Sequence, residues 1–375
     1  MKQYLALTLL ATTLGANAQS NVTIYGAADA SFDVVSVSGA SNGVNRGTFN
    51  RVESNGSYIG FKGTEDLGNG LKAVFQIESA LAIDNNQGFT GGRDTFVGLS
   101  SKDLGTIQLG TLTGPTRAAG LLVDSRLGHA GISAGSSIFG KPEGGEGTGT
   151  FDTRFSNTVA YVSPTFAGQY GAVTLIGAYV AGENKSLSNS PAADVKNTYG
   201  YDLGVSYVYG PVTTMLTHGE VHNRLDGSAP GTNLDQATIT RLVTAYSFDG
   251  GHKIAGLVER TKNSYTGLAG ADVERNAWGL SGKYHLTPVD AVVAQYFQAN
   301  NPTGSLYADN SNRKANLYEF GYEHYLSKRT VLKTSYSVIS NQSNANFDYG
   351  NNPVGNGTGA GADYKVVSAG IRHSF

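Results

Sequence analysis

Tyr199-Gly200-Tyr201-Asp202-Leu203-Gly204-Val205-Ser206-Tyr207-Val208-Tyr209 is the stretch that decides the fold. Its odd positions carry tyrosine, leucine and valine, and its even positions carry glycine, aspartate and serine up to Val208. Side chains alternate across a strand, so one face of this segment is apolar and aromatic and the other small or polar. Working outward, 316–325 repeats the pattern, with Tyr318, Phe320 and Tyr322 opposite Glu319, Gly321 and Glu323. In 330–339, Leu332, Tyr336 and Val338 stand opposite Lys333, Ser335 and Ser337. Alternation alone also fits a soluble β-sandwich whose apolar faces meet in a core. The connections separate the two. Short ones at 66–69, 210–211, 249–251, 286–288 and 327–329 alternate with long polar ones at 34–55, 112–153, 181–197, 222–236, 262–274, 301–315 and 341–363. That asymmetry belongs to a transmembrane barrel with tight turns at one rim and long loops at the other.

Counting segments predicts about sixteen strands, at 22–32, 58–65, 71–83, 93–100, 106–111, 157–163, 173–180, 199–209, 212–220, 237–248, 252–261, 275–285, 290–300, 316–325, 330–340 and 364–375. The fold class is therefore all-β, an antiparallel transmembrane barrel. In hydrocarbon every backbone N–H and C=O must find a protein partner, so the last strand must close on the first. A ring of this size encloses water rather than filling with side chains.

The N-terminus begins with Met1-Lys2-Gln3-Tyr4, continues with an apolar run over 5–14 and reaches small residues at Ala16-Asn17-Ala18. This reads as a signal peptide over 1–18, too short to span a membrane as a helix, followed by a mature barrel domain over 19–375. The chain has no cysteine, so an exported fold here has neither disulfides nor thiolate metal sites. With 27 basic and 29 acidic residues there is no polybasic signature of nucleic-acid binding.

Other chemistry is weakly represented. His218 and His222 are four apart, a metal-pair spacing on a helix, but they straddle the end of a predicted strand. No Gly-x-Ser-x-Gly nucleophile turn stands between a strand and a helix, and no phosphate-cradling Gly-Lys-Ser/Thr loop occurs. The expectation is no catalytic residue, no metal and no cofactor. A barrel enzyme and a surface adhesin are the alternatives to a passive pore.

Several motifs bear on the family. Ile24-Tyr25-Gly26, the run from Ile59 to Gly68, Leu71 to Glu78, Ser156 to Pro164 and the ending Ala369-Gly370-Ile371-Arg372-His373-Ser374-Phe375 resemble the Gram-negative general porins of the beta-proteobacterial type. The likeness extends over essentially the whole mature chain. It implies a homotrimer of sixteen-stranded barrels in the outer membrane. It also implies contact with lipid and lipopolysaccharide, passage of ions and small hydrophilic solutes, and a terminal Phe375 read by the barrel-assembly machinery. Closure would bring Gln19 and Phe375 together.

The resemblance further implies that the longest connection, 112–153, folds inward as a third loop. Its Arg117, Asp124, Arg126, Glu143 and Glu146 would then set the field where solute passes. On the facing wall the carry-over is partial. Arg154 and Arg93 match family arginines, although alternation leaves the direction of Arg93 open. Lys62 has lumen parity, while Tyr58 and Thr111 stand where the family carries a basic side chain. The expected result is weaker anion selectivity than in arginine-rich relatives.

Overall fold

The computed structural model describes residues 21–375 except 86, 129–130, 133, 146–148, 183–196, 225–232 and 267–270. The segment 1–18, Gln19 and Glu146 lie outside the described residues.

Eighteen strand segments form one continuous sheet that closes on itself. Two strands are each broken into an upper and a lower piece, so the ring has sixteen members, all antiparallel to their neighbours. In chain order they are β1 (Asn21–Ser38), β2 (Gly47–Ser54 continued by Tyr58–Gly68), β3 (Leu71–Ala82), β4 (Gly88–Ser101), β5 (Gly105–Thr113) and β6 (Arg154–Val162 continued by Phe166–Gly168). Then follow β7 (Gly171–Ala181), β8 (Tyr199–Tyr209), β9 (Val212–Arg224), β10 (Asn233–Ser247) and β11 (Lys253–Thr266). The ring ends with β12 (Asp272–Thr287), β13 (Asp290–Ala299), β14 (Ala315–Tyr325), β15 (Thr330–Asn341) and β16 (Asp363–Ser374).

The ring closes where β1 pairs with β16, Ala27 opposite Ser374 and Ser38 opposite Asp363. Phe375 extends the seam: its N–H donates to the Gly26 carbonyl and its carbonyl accepts from the Gly26 N–H, at 3.0 and 3.1 Å. A Cβ on Gly26 would lie 2.6 Å from the Phe375 ring, so only glycine leaves that ring its place.

Alternation runs inside out relative to a soluble sandwich. On β8, Tyr199, Leu203 and Val205 are exposed while Gly200, Asp202 and Gly204 are buried. On β14, Tyr318 and Phe320 are exposed and Glu319 and Glu323 buried. Apolar side chains thus cover the outer wall and polar ones face the lumen, as a barrel solvated by lipid requires. No helix is long and apolar enough to cross a membrane among the described residues.

The structure changes the character of two expected connections. The segment 34–55, expected as a loop, is largely strand: β1 continues to Ser38 and the upper piece of β2 pairs with it, Val37 opposite Gly47. Serine, asparagine and glycine there hide the alternation, and cross-strand pairing overrides their low strand propensity. Within the long polar connection expected at 341–363, residues 342–362, the eighth loop, turn into the lumen and bury Phe347, Tyr349 and Val354.

Candidate functional site: the lumen and its third loop

The third loop, 114–153, opens with α1 (Pro115–Val123), and the wall holds this helix at both ends. Pro115 occupies the first helical position, where a missing N–H costs nothing. The side chain of Asp202 on β8 accepts the Thr116 N–H at 3.0 Å and the Thr116 hydroxyl at 2.6 Å. It thus supplies, from a distant strand, the cap that Gly114 cannot, and puts negative charge at the positive end of the helix. At the other end Lys253 of β11 donates to the Leu122 carbonyl at 2.7 Å.

Beyond α1 the loop runs round the inner wall. The Ser125 N–H donates to Gln295 at 2.8 Å, Arg126 pairs with Glu319 at 3.3 Å, and the Leu127 N–H reaches Glu323 at 2.8 Å. On the way back, Arg275 donates to the Pro142 carbonyl at 2.9 Å, and the Glu143 carboxylate accepts from Asn263 and Tyr265. The central clamp is Arg241 of β10, which is fully buried. Its guanidinium meets Asp152 of the loop at 2.8 and 2.9 Å, Glu259 of β11 at 2.7 Å and the Thr116 carbonyl at 2.8 Å. Two carboxylates around one bidentate cation form a charge-assisted network that fixes the loop against β8–β14.

The opposite side of the lumen stays open. A passage of about 660 Å³ lies between the loop's Arg117, Leu121 and Leu127 and the wall's Tyr58, Ala80 and Arg93, and Arg154 and Arg372 also line it. Arg93 pairs with Glu78 and lies over the Tyr58 ring, 4.3 Å from its centre. Its inward direction follows from a bulge. Ile77 stands opposite Thr95 and Ser79 opposite Gly92, so Glu78 faces both Arg93 and Asp94. Such an extra residue breaks alternation, which is why parity could not orient Arg93. Asp94 pairs with Arg154 at 2.8 Å. A second bulge, at Ser156–Asn157, interrupts the count back from Thr158, and Arg154 reaches the passage from the strand's upper end.

Arg117 makes no ion pair among the described residues; its guanidinium donates to the Asp152 main-chain carbonyl. Burial, then the neighbouring Arg154 and Arg93 charges, lower its pKa below the usual arginine value.

The predicted site residues therefore divide. Tyr58, Arg93, Arg117 and Arg154 come together around the passage. Lys62 lies beyond it, its ammonium 4.8 Å from the centre of the Tyr25 ring. Arg126 and Glu143 turn away from the passage into the seam between loop and wall, and Asp124 turns inside the loop onto the Gly135 N–H. Loop sequence alone carries no periodicity that could show this. Burial raises the Asp124 carboxyl to about 7 despite the Gly135 N–H that it accepts. Thr111 lies with Leu109, Ser156 and Asn157 in a shallow concavity of the barrel wall, away from the passage, so it drops out of the pore-wall set. Sequence reading missed Arg372, Asp94, Glu78 and the clamp Arg241–Asp152–Glu259; lumen parity on β10 and β11 was the available signal for Arg241 and Glu259. His218 and His222 flank Glu220 at 3.5 and 3.1 Å on the outer face of β9.

A closed sixteen-strand barrel with an apolar outside, a polar inside and an open, charge-lined passage defines an outer-membrane diffusion channel. The chain belongs to the family of Gram-negative porins, which it matches over residues 6–344. Among curated relatives it is 29% identical over 385 residues to outer membrane porin protein 32 of Delftia acidovorans, covering 100% of this chain and 99% of that one. Among solved structures it is similar to the anion-selective porin from Comamonas acidovorans, with a TM-score of 0.75, 26% identity, and coverage of 95% and 100% of the two chains. The trimer form of OmpT from Vibrio cholerae shares the fold at a TM-score of 0.65 and 12% identity, covering 95% and 99%. The protein is an outer-membrane diffusion pore.

Proposed function

We propose that the third loop and the arginines at its open side form the selective constriction of this pore, and that it passes small anions in preference to cations. The observation that carries the reading is the passage itself, lined by Arg93, Arg117, Arg154 and Arg372 against Glu53 and Asp84. Three of those arginines are matched by carboxylates: Glu78 for Arg93, Asp94 for Arg154 and Asp29 for Arg372. Glu53 is in turn paired with Arg51, so among the described residues the unmatched lining charges are Arg117 and Asp84. The positive field is local to Arg117 rather than a large net excess, and Tyr58 is a neutral aromatic face on the wall. The related Comamonas protein is titled anion-selective. In this reading the chain is a channel and not a catalyst. It works as a homotrimer, as a fold neighbour's trimer form suggests. It is exported by the 1–18 segment, and Phe375 is presented to the barrel-assembly machinery. Outer-membrane lipid and lipopolysaccharide surround it.

The test is planar-bilayer recording of the purified protein. Conductance should rise in groups of three steps. Across a salt gradient the reversal potential should show a moderate anion preference, clearest in dilute electrolyte because exposed charges act over about a Debye length, ~10 Å at 0.1 M. A cation-selective channel would overturn the role given to the arginines, and folded protein without conductance would overturn the pore.

A further inference from the structure

The passage is not lined by charge alone. Leu121 and Leu127 of the third loop stand half-exposed in it, whereas Ile132, Ile138 and Phe139 of the same loop are packed away in the core. Apolar area left in a water-filled lumen gains nothing from folding and is free to be covered by a solute. Both leucines are held in place. Leu121 lies one turn after Arg117 on α1, so the two side chains share the face that meets the passage. Leu127 is fixed by its own N–H, which donates to Glu323 at 2.8 Å. On the wall side, Tyr58 has alanine as both cross-strand neighbours, Ala27 and Ala80. No bulky neighbour in its own row covers the ring; Arg93 lies over it at 4.3 Å, and Tyr25 meets it edge to face with the ring centres 6.1 Å apart.

Beside this apolar strip stands a single unmatched cation. Arg93, Arg154 and Arg372 each have a carboxylate partner, and Arg117 has none among the described residues. Only its Nη1 is engaged, at the Asp152 carbonyl. Its Nε has no hydrogen-bond partner, and Nη2 meets no acceptor among the described residues. These two donors form one edge of the guanidinium, and such an edge grips a carboxylate through two parallel hydrogen bonds. Nε is shielded from water, so a carboxylate engages it by turning the guanidinium toward the passage. We infer that the passage is a subsite for small aromatic monocarboxylates, with Arg117 taking the carboxylate and Leu121, Leu127 and Tyr58 taking the ring. One unmatched cation suits one carboxylate, and Asp84 on the same lining opposes a second. A flat ring covers the leucines, while a sugar brings them only hydroxyls that prefer water. Apolar walls with one placed polar group are the make-up of sites that hold small organic ligands.

The inference rests on the anion preference proposed above, and the experiment separates the two. Wild type is recorded in planar bilayers, first across a chloride gradient and then with benzoate, acetate, benzamide or terephthalate added to one side. Benzoate should interrupt the single-channel current with an affinity at least about tenfold above that of acetate, which lacks the ring, and of benzamide, which lacks the charge. Terephthalate, with its second carboxylate, should bind less well than benzoate. Replacing both leucines, Leu121→Ser with Leu127→Ser, in barrels shown to be folded by heat-modifiability on gels, should abolish the preference for benzoate over acetate. Acetate is the reference that absorbs any change of bore. Leu121→Met should retain the preference, and Arg117→Gln should reduce benzoate to the level of benzamide. An anion-selective wild type that benzoate interrupts no more than acetate does, or a double serine variant that keeps the preference, would overturn the subsite and leave the selectivity of the pore standing. A cation-selective wild type would overturn the anion reading and the subsite with it.

Discussion

The two faces of the third loop use the same side chain for opposite ends. Against β10 and β11, Arg241 is fully buried and saturated by Asp152, Glu259 and a helix carbonyl. On the other face of the loop, Arg117 faces the passage with a single main-chain acceptor and no carboxylate pair among the described residues. One cation is spent on holding the loop and the other is left to act on what passes. What separates them is where carboxylates lie, not how many arginines the chain has. A doubly paired charge is largely cancelled by its partners, while an unpaired one acts on whatever enters the passage.

The contrast is most exposed by Arg241→Ala. It leaves Asp152 and Glu259 buried without their cation and should lower stability by about 3–5 kcal/mol, read as an earlier thermal transition and unsteady single-channel current as the third loop lets go. If the thermal transition and the current stay as in wild type, the loop is held by packing alone. Next in size is Asp202→Ala, which strips the cap from α1; about 0.5–2 kcal/mol should go, with the same readouts moving in the same direction but less. Arg117→Ala should do the reverse. Stability should change by only about 1 kcal/mol, the worth of its single hydrogen bond, while the reversal potential moves clearly toward cations. A variant that unfolds early without changing selectivity would place Arg117 with Arg241 and erase the distinction. The finest adjustment is Tyr58→Arg. It adds a cation beside Arg93 and should shift selectivity modestly toward anions. A null result would take Tyr58 out of the field altogether. The seam offers an independent check. Gly26→Val pushes against the Phe375 ring and should reduce the folded yield, with the conductance of channels that do assemble unchanged.

The fold was largely legible because a membrane barrel writes its pattern twice. Lipid demands apolar side chains at every second position, and closure demands an even set of strands joined alternately by short turns and long loops. Tyr199 to Tyr209 shows the first demand in a single segment, and the wall residues Tyr58 and Arg154 were picked out by likeness to the porin motifs. Pattern reading failed where the pattern is interrupted. The bulge at Arg93–Asp94 removed parity just where a lumen arginine had to be oriented. Between 34 and 55, strand pairing overruled a loop-like composition. Within the third loop, Asp124, Arg126 and Glu143 looked equivalent to Arg117, since a loop has no repeat by which to tell its two faces apart.

The sequence by itself determined the class of architecture, the sixteen-membered ring, the closing role of the last strand and the presence of a long third connection. These follow from periodicities and lengths that any single strand or turn carries locally. Only the tertiary structure decided which charges face solute and which face protein. It turned the eighth loop inward onto the third, and it made Asp202, an ordinary polar position in the most regular strand of the chain, the cap of a helix 86 residues away. Those outcomes depend on pairings between residues far apart in sequence. An isolated segment holds no record of them, because the free energy of a buried charge is set by the partners that the closed barrel brings to it.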